Sequence, residues 1–274
     1  MKKGIHIMSL LLSLLLLPFN AGELFGGSSD QVIETIGQGE VNWTDNIIRA
    51  TGSGAPNPSA PNPAVARLGA ERAAKSDALR NLLETVKGVR VDSETTVVNA
   101  MTQSDLIHSS IQGFIRGARV IDKKYSSDGG VEVVIEMPIA GEFADALLPA
   151  TGGLPVPSSG NPVYTGLIID TKGLELHPAM SPKVLDEEGR EVYGSAYVSR
   201  EFAIKQGIVG YAKDIDSARQ NERVTDNPII VKGIKAEGAG NSNVVIKNSD
   251  ANMLRDSSKN LSFLSQCRVL LVVD

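Results

Sequence analysis

Residues 66–95 read ARLGAERAAKSDALRNLLETVKGVRVDSET, and this stretch decides how the first half of the chain folds. Asn62 and Pro63 stand shortly before it; an Asn side chain caps free helical amide groups, and Pro suits the first helical turn. Gly88 supplies a helix stop. The pattern predicts one long helix from residue 63 to about residue 87.

Apolar residues of two sizes recur at helical spacing along this segment. The predicted packing face consists of Val65, Leu68, Leu79, Leu82 and Val86, with a neighbouring stripe of Ala66, Ala70, Ala73, Ala74 and Ala78. Small side chains let a helix lie close to a sheet. The pattern is therefore typical of a core helix laid across strands rather than of a cofactor-binding segment.

Strand-forming segments surround the helix and complete an α+β domain over residues 30–150. Asp128, Gly129 and Gly130 supply the turn of a predicted hairpin. The expected architecture is a long helix packed on a small antiparallel sheet. The predicted strands are 32–39, 41–51, 89–99, 118–125 and 131–139, and the predicted short helices are 104–115 and 142–148.

A second domain, residues 163–274, follows a Pro/Gly-rich segment at 151–162 that reads TGGLPVPSSGNP and is predicted to be an extended interdomain linker. The pattern again indicates an α+β domain, whose role the sequence leaves open. Because the last predicted strand reaches the C-terminus, we expect a short truncation there to unfold this domain. The predicted strands are 165–170, 229–236, 244–247 and 268–273, and the predicted helices are 199–206, 215–221 and 250–255.

Residues 1–21 have the order of a secretory signal peptide: basic Lys2 and Lys3, an apolar stretch over residues 5–19, and the small residue Ala21. An uncleaved anchor is the alternative, but the apolar stretch is short for a membrane span. We therefore expect a periplasmic protein that is exported through the inner membrane.

The single cysteine, Cys267, lies far from the predicted cleavage point, so we expect no lipid anchor of the chain's own. It stands beside the apolar run 269–273, where a buried thiol that packs as a small hydrophobe is favoured. Pairing between two chains is the alternative for an odd cysteine in an exported protein.

The composition argues against several classes of binding protein. The formal net charge is −5, and removal of Lys2 and Lys3 makes the chain more acidic, which disfavours nucleic acid and anionic membrane surfaces as partners. Aromatic residues make up only 4 %, too few to indicate a stacking platform for sugars or single strands.

Motifs that carry chemistry are weak or incomplete. His108 and His177 lack neighbouring ligands at metal spacing, and neither has an evident orienting partner for catalysis. Gly52-Ser53-Gly54 is followed by prolines rather than by a helix, so a phosphate loop is not predicted. Ser195 lacks the second glycine of a nucleophile elbow, and the acidic cluster 186–188 lacks the alternating ligands of a calcium loop. We therefore predict no enzyme, no metal and no cofactor.

Trp43 is the only tryptophan, in a predicted strand with polar neighbours. An exposed aromatic side chain there would anchor a protein partner. Half-buried packing is the alternative. On this reasoning Trp43 is the one candidate contact residue, together with an extended edge strand of the sheet.

The long-helix segment and the strand after it also resemble a known family. The residues that carry the resemblance are Arg72, Ala73, Ala74, Asp77, Ala78, Leu82, Gly88, Val91 and Ser93. They are similar to the small outer-membrane lipoproteins that include the flagellar protein FlgP and the N-terminal domain of FlgT, over about residues 30–148. The resemblance implies a non-catalytic envelope component, although the lipidated cysteine of those members is missing.

These observations favour a non-enzymatic exported envelope protein that acts as an assembly or scaffold component at the periplasmic side of the outer membrane, in a flagellum or another machine. Its expected partners are envelope proteins and further copies of itself as a homo-oligomer. The alternative is a periplasmic adaptor that binds a small ligand or glycan in the second domain. Its pocket would be lined by Tyr193, Tyr197, Arg200 and Tyr211.

Overall fold

The computed structural model describes residues 30–152, 154–159, 163–256 and 260–274. The predicted signal peptide, residues 1–21, lies outside the described residues, as does part of the predicted linker. The described chain contains two sheets, each with its own helices, so the prediction of two α+β units is confirmed.

The first sheet has five strands in the order β1-β2-β3-β5-β4, and every neighbouring pair is antiparallel. The long helix α1 crosses one face of it. The strands are β1 (Ile33–Ile36), β2 (Gly39–Asn42), β3 (Ile47–Gly54), β4 (Arg119–Tyr125) and β5 (Val131–Pro138). The helices are α1 (Pro63–Gly88), α2 (Val97–Gln103), α3 (Asp105–Arg116) and α4 (Glu142–Leu147).

Two glycines of β3 set the close approach of α1 to the sheet. A Cβ atom at Gly52 would lie 2.0 Å from the backbone nitrogen of Ala78, and one at Gly54 would lie 2.1 Å from the carbonyl oxygen of Ala70. Ala70, Ala74 and Ala78 are fully buried on the facing side of the helix. The Gly-Ser-Gly segment is therefore a packing element that brings backbone against backbone.

Both ends of α1 follow the sequence closely. The Asn62 side chain accepts a hydrogen bond from the Val65 amide at 3.0 Å, which confirms the predicted cap. Gly88 is the last residue of α1, and a Cβ there would lie 2.7 Å from Cγ2 of Ile36. Gly88 thus makes room for β1 as well as ending the helix.

The prediction that Val65 and Leu68 belong to the core is wrong: they are 45 % and 53 % exposed. Gly54, the last residue of β3, faces Ala70, so the helical turns before Ala70 extend past the end of that strand. Helical periodicity predicted which side of α1 faces inward, but not where the sheet beneath it ends.

The predicted strand at 89–99 is also wrong. Only an isolated bridge, Arg90 to Thr96, forms there, and Val97 begins the helix α2. The β-branched residues of this segment favoured a strand. In the structure, backbone carbonyl groups of residues 90–93 instead accept hydrogen bonds from the second domain.

The second sheet has seven strands in the order β8-β7-β11-β10-β6-β12-β9. Strand β12 lies between β6 and β9 and is parallel to both, so the predicted C-terminal strand is central. The strands are β6 (Gly166–Asp170), β7 (Val184–Leu185), β8 (Glu191–Tyr193), β9 (Gly210–Ala212), β10 (Pro228–Glu237), β11 (Asn243–Ile246) and β12 (Val269–Val272). The helices are α5 (Arg200–Gln206), α6 (Ile215–Arg219) and α7 (Asn248–Leu254).

One hydrophobic core runs through both domains. It joins Leu82 and Ile135 of the first domain to Tyr193, Ile246 and Leu271 of the second without interruption. A smaller cluster that includes Ala218 of α6 covers the other face of the second sheet. The two sheets therefore share a packed seam.

Candidate functional site

Trp43 lies in the seam between the domains and is only 2 % exposed, so the expectation that it is exposed to a partner protein is not met. Its ring contacts Tyr211 edge-on at a centroid distance of 5.7 Å. Its Nε1 donates a hydrogen bond to Glu34 at 3.0 Å. The aromatic anchor is therefore used inside the chain, where one domain holds the other.

Tyr211, which contacts Trp43, is itself held in the second domain by hydrogen bonds. Its hydroxyl donates to the carbonyl oxygen of Ala179 and accepts from the amide of Ala179, both at 2.8 Å. Burial raises the pKa of Tyr211, so the phenol stays protonated and remains a donor. Thr44 donates its hydroxyl hydrogen to the carbonyl oxygen of Tyr211 at 3.3 Å, next to Trp43.

The segment that was predicted as a strand, residues 90–94, forms the second part of the seam. The amides of Met180 and Ser181 donate to the carbonyl oxygens of Arg90 and Val91 at 3.0 and 2.7 Å. The amide of Gly240 donates to the carbonyl oxygen of Ser93 at 2.7 Å. The backbone of the first domain thus satisfies backbone groups of the second.

Two arginines clamp the seam on either side. Arg90 forms an ion pair with Glu34 and donates through Nε to the carbonyl oxygen of Pro178 at 2.9 Å. Arg200 of α5 donates to Asp145 of α4 through Nη2 at 2.8 Å and through Nε at 3.0 Å. Each guanidinium group therefore links an element of one domain to an element of the other.

The seam is closely packed. The gap enclosed by Trp43, Ile139, Met180, Val209 and their neighbours measures about 20 Å³. That is too small for a ligand, although it has room for a single water molecule. This surface is internal to the protein.

The ligand pocket expected in the second domain does not form from the four predicted residues. The Tyr193 hydroxyl donates to the carbonyl oxygen of Ile208 at 2.6 Å, and that of Tyr197 donates to the carbonyl oxygen of Glu191 at 3.0 Å. Tyr211 and Arg200 belong to the seam. Of the four side chains, Tyr197 lines a cavity of about 250 Å³ beneath residues 154–157, together with Val192, Leu254, Arg255 and Leu264.

Cys267 is fully buried, as the sequence suggested. Burial raises the pKa of its thiol to about 11, against the opposing effect of the nearby Arg223. Arg223 donates to the carbonyl oxygens of Gly207 at 3.2 Å and Cys267 at 2.8 Å, so backbone oxygens satisfy its guanidinium group. A protonated, inaccessible thiol is a packing group rather than a reactive one.

Asp186 of the acidic turn is fully buried and bound by two arginines. Arg190 and Arg255 each donate to its Oδ2 atom at 2.8 Å. Burial raises the pKa of Asp186, but these hydrogen bonds and the backbone amide of Arg190 outweigh it and lower the pKa to about 2. The turn is thus held by an internal ion-pair cluster.

An open groove of about 940 Å³ lies in the first domain and is called here the α3 groove. It is bounded by α3, by the end of β5 and by the start of α4. Its lining consists of Ile47, Ser110, Gly113, Phe114, Gly117, Arg119, Glu136, Met137, Pro138, Ala140, Gly141, Glu142 and Phe143.

The groove exists because β4 is shorter than its neighbour. Pairing of β4 with β5 begins at Arg119 opposite Glu136, so Met137 and Pro138 have no β4 residue beside them. Phe114 and Phe143 meet edge-on at a centroid distance of 6.0 Å. Apolar side chains therefore line a notch at the edge of the sheet.

Two of the three charged side chains that line the groove, Arg119 and Glu136, are paired, and the third, Glu142, is exposed. Glu136 accepts from Arg49 at 2.9 Å and from Arg119 at 3.3 Å. Arg49 also approaches Glu40 at 3.9 Å, so the ion pairs cross four neighbouring strands. Such a groove suits apolar contacts rather than acid–base chemistry.

Beside the groove, β4 is one of the two outer strands of the sheet, and all its residues are exposed. The pairing shifts between Val120 and Asp122, which marks a bulge at Ile121. Lys123 and Lys124 follow it. A bulge and lysines are the devices that protect an edge from pairing with another strand, so β4 is a poor contact strand despite its exposure.

His108 and His177 are surface residues. His108 lies on the exposed side of α3, where its Nε2 is 2.9 Å from the Gln112 amide nitrogen, and His177 lies in a loop. Within the described residues, no group of three or more histidine, cysteine or carboxylate side chains is arranged to hold a metal ion. No helix in the described part of the chain is both long and apolar enough to cross a membrane.

Comparison with protein families separates the two domains along the chain. Residues 39–137, which contain α1 and the groove-forming α3, match the model of the LPP20 lipoprotein family. The first domain is related to the LPP20 lipoproteins. The predicted relation to a lipoprotein family is thereby confirmed for this LPP20-like domain, and it indicates an exported, envelope-associated protein. The link to the flagellar members stays a prediction.

The second domain, which sequence reasoning left without a relative, matches a different model. Residues 166–274 are similar to the second domain of Treponema pallidum Tp0624. The two matches lie on either side of the Pro/Gly-rich segment 151–162. No curated protein matches the chain in sequence.

Proposed function

We propose that this chain is a non-enzymatic structural protein of the cell envelope, located in the periplasm, that binds other envelope proteins through its LPP20-like domain. The observation that carries the proposal is the α3 groove, an open, largely apolar notch in which Arg119 and Glu136 are already paired. An apolar side chain of another protein can enter it while Arg119 and Glu136 keep each other as partners.

The seam supports the structural part of this proposal. Trp43, Arg90, Arg200 and Tyr211 all serve contacts between the domains. Because the two domains share one hydrophobic core, the second domain is positioned directly by the first. The titratable clusters described above, at Asp186 and at Arg223, likewise serve internal contacts.

Photo-crosslinking in intact cells tests the proposal. A photoreactive residue at Ser110, in the groove, is expected to yield a discrete cross-linked protein in envelope extracts, whereas one at exposed Lys75 on α1 serves as the control. The adduct is identified by mass spectrometry, and its loss on Gly113→Arg ties it to the groove. Equal labelling at both positions, or none at either, contradicts the proposal.

The assembly is a finer question. We propose a flagellar assembly as the specific case, because the sequence of the LPP20-like domain resembles flagellar members. Deletion of the gene should then reduce motility in soft agar, with recovery on complementation. Unchanged motility, or an organism without flagellar genes, removes this case and leaves the envelope role.

A ligand-binding adaptor is the second candidate, and the cavity beneath residues 154–157 favours it. At about 250 Å³ the cavity lies slightly below the usual range of ligand pockets, which is why this function ranks second. A thermal-shift screen of small apolar and acidic compounds tests it. Leu264→Trp should fill the cavity and abolish any shift.

A further inference from the structure

One outward side of α3 combines a projecting side chain with small residues. Leu106, Ser110, Gly113 and Gly117 follow one another at spacings of four, three and four residues, which places them along one stripe of a helix. Leu106 is 77 % exposed, the most exposed large apolar residue in the described part of the chain. The stripe therefore carries a knob at one end and a flat surface at the other.

The flat end of the stripe is also the wall of the α3 groove, because Ser110, Gly113 and Gly117 line it. A Cβ atom at Gly113 would meet no atom within 4 Å, so the space above it is open. The projecting Leu106 side chain and the open space above Gly113 are seven residues apart, about 10 Å along the helix axis. They are complementary in shape, but too far apart to meet within one chain.

Charges on the flank of the stripe give the orientation. Asp105 lies in the first turn of α3 and Arg116 in the last, and both are exposed. Their separation of eleven residues is close to three helical turns, so both lie on the same flank. When two such helices face each other antiparallel, a two-fold rotation keeps each flank on its own side and brings the acidic end opposite the basic end.

We propose that a second copy of this chain occupies the α3 groove. The two α3 helices pair antiparallel, Leu106 of each copy enters the groove of the other, and Asp105 pairs with Arg116 of the partner subunit. This inference rests on the proposed function, since it names the protein that fills the same groove. The antiparallel arrangement also places the helix dipoles in opposite directions.

The alternative of pairing through β4 is less favourable on this structure. The bulge at Ile121 and the lysines that follow it disfavour edge-to-edge strand pairing. The α3 stripe has no charged residue along its line. The helix is twelve residues long, which makes a small interface, so the pairing is weak and depends on concentration.

Sedimentation velocity of the full chain without residues 1–21, over the micromolar range, tests the proposal. We expect a concentration-dependent dimer that Gly113→Arg weakens by at least tenfold, because the longer side chain blocks the groove. Gly69→Arg is the matched control, since it also replaces a helical glycine with open space around it. A strictly monomeric wild-type chain, or equal dimerisation of both variants, overturns the proposal.

A charge exchange tests the orientation. Asp105→Arg and Arg116→Asp should each weaken the dimer, and the double variant should restore it, because the pair reforms with reversed signs. Thermal melting shows whether each variant is folded. Failure of the folded double variant to recover rejects the antiparallel pairing. If dimerisation fails while Ser110 still cross-links to a different envelope protein, the inference falls and the proposed function stands.

Discussion

The seam and the α3 groove are both apolar surfaces flanked by arginine–carboxylate pairs, but only the seam is closed. In the seam, Trp43 is covered by Tyr211, and the amides of Met180, Ser181 and Gly240 bind backbone oxygens of residues 90–93. At α3, Leu106 projects into solvent beside an open notch. The seam is closed because residues of both domains cover it and exchange backbone hydrogen bonds across it. The α3 groove has no such cover from the described residues of the same chain.

The largest expected effect is at the seam. Trp43→Ala should lower the free energy of unfolding by about 3–5 kcal/mol, because it removes a buried aromatic side chain from between the domains. Urea unfolding followed by circular dichroism measures it. Leu106→Ala, on the open surface, should change the value by less than about 0.5 kcal/mol. Similar losses in both variants would contradict the contrast between the two surfaces.

The next effect compares the side of α1 that packs on Gly52 of β3 with the open side of the same helix. Gly52→Ala should destabilise the LPP20-like domain by about 1–3 kcal/mol or more, because the added methyl group meets the backbone of α1. Gly69→Ala, on the open part of the same helix, should stabilise the fold by up to about 1 kcal/mol. Thermal melts of the two variants should therefore shift in opposite directions.

A third effect concerns the ion-pair cluster of the second domain. The folded-state pKa of Asp186 is lowered to about 2, below its ordinary value near 3.8, so its charge stabilises the fold above pH 4. That contribution is lost as the pH falls from about 4 to about 2. Asp186→Asn should be less stable than the wild type at pH 7, with the difference shrinking at pH 2.5. A difference independent of pH would mean that the carboxylate charge is not the stabilising group.

The smallest effect is expected at Cys267. Because burial raises the pKa of the thiol to about 11, iodoacetamide at pH 8 should label the native chain negligibly and the urea-unfolded chain fully. Mass spectrometry of the intact protein provides the readout. Rapid labelling of the native chain would show that the end of the second domain opens far more readily than its burial implies.

Local patterns predicted most elements of the fold. The Asn62 cap, the hairpin around Gly129 and the central position of β12 are all found in the structure. The errors arose where a neighbour decides the outcome. Val65 is exposed because β3 ends beneath Ala70, and residues 90–94 form no strand because their backbone groups bind the second domain.

The candidate surface was harder to predict than the elements that form it. Sequence reasoning favoured Trp43 and an edge strand, and it predicted the helix at 104–115 without finding the groove. The signal was nevertheless present in the spacing of Leu106, Ser110, Gly113 and Gly117. What was missing is the offset of β4 against β5, which opens the notch beside those residues.

Local sequence signals were sufficient to predict the long helix α1, the hairpin of β4 and β5 and the strand β12, because caps, glycines and hydrophobic periodicity act within a few residues. Tertiary structure alone decided which apolar residues are covered. Trp43 is buried and Leu106 is exposed because the second domain docks over one and not over the other, and docking depends on contacts between residues up to about 170 positions apart. No local pattern contains that information.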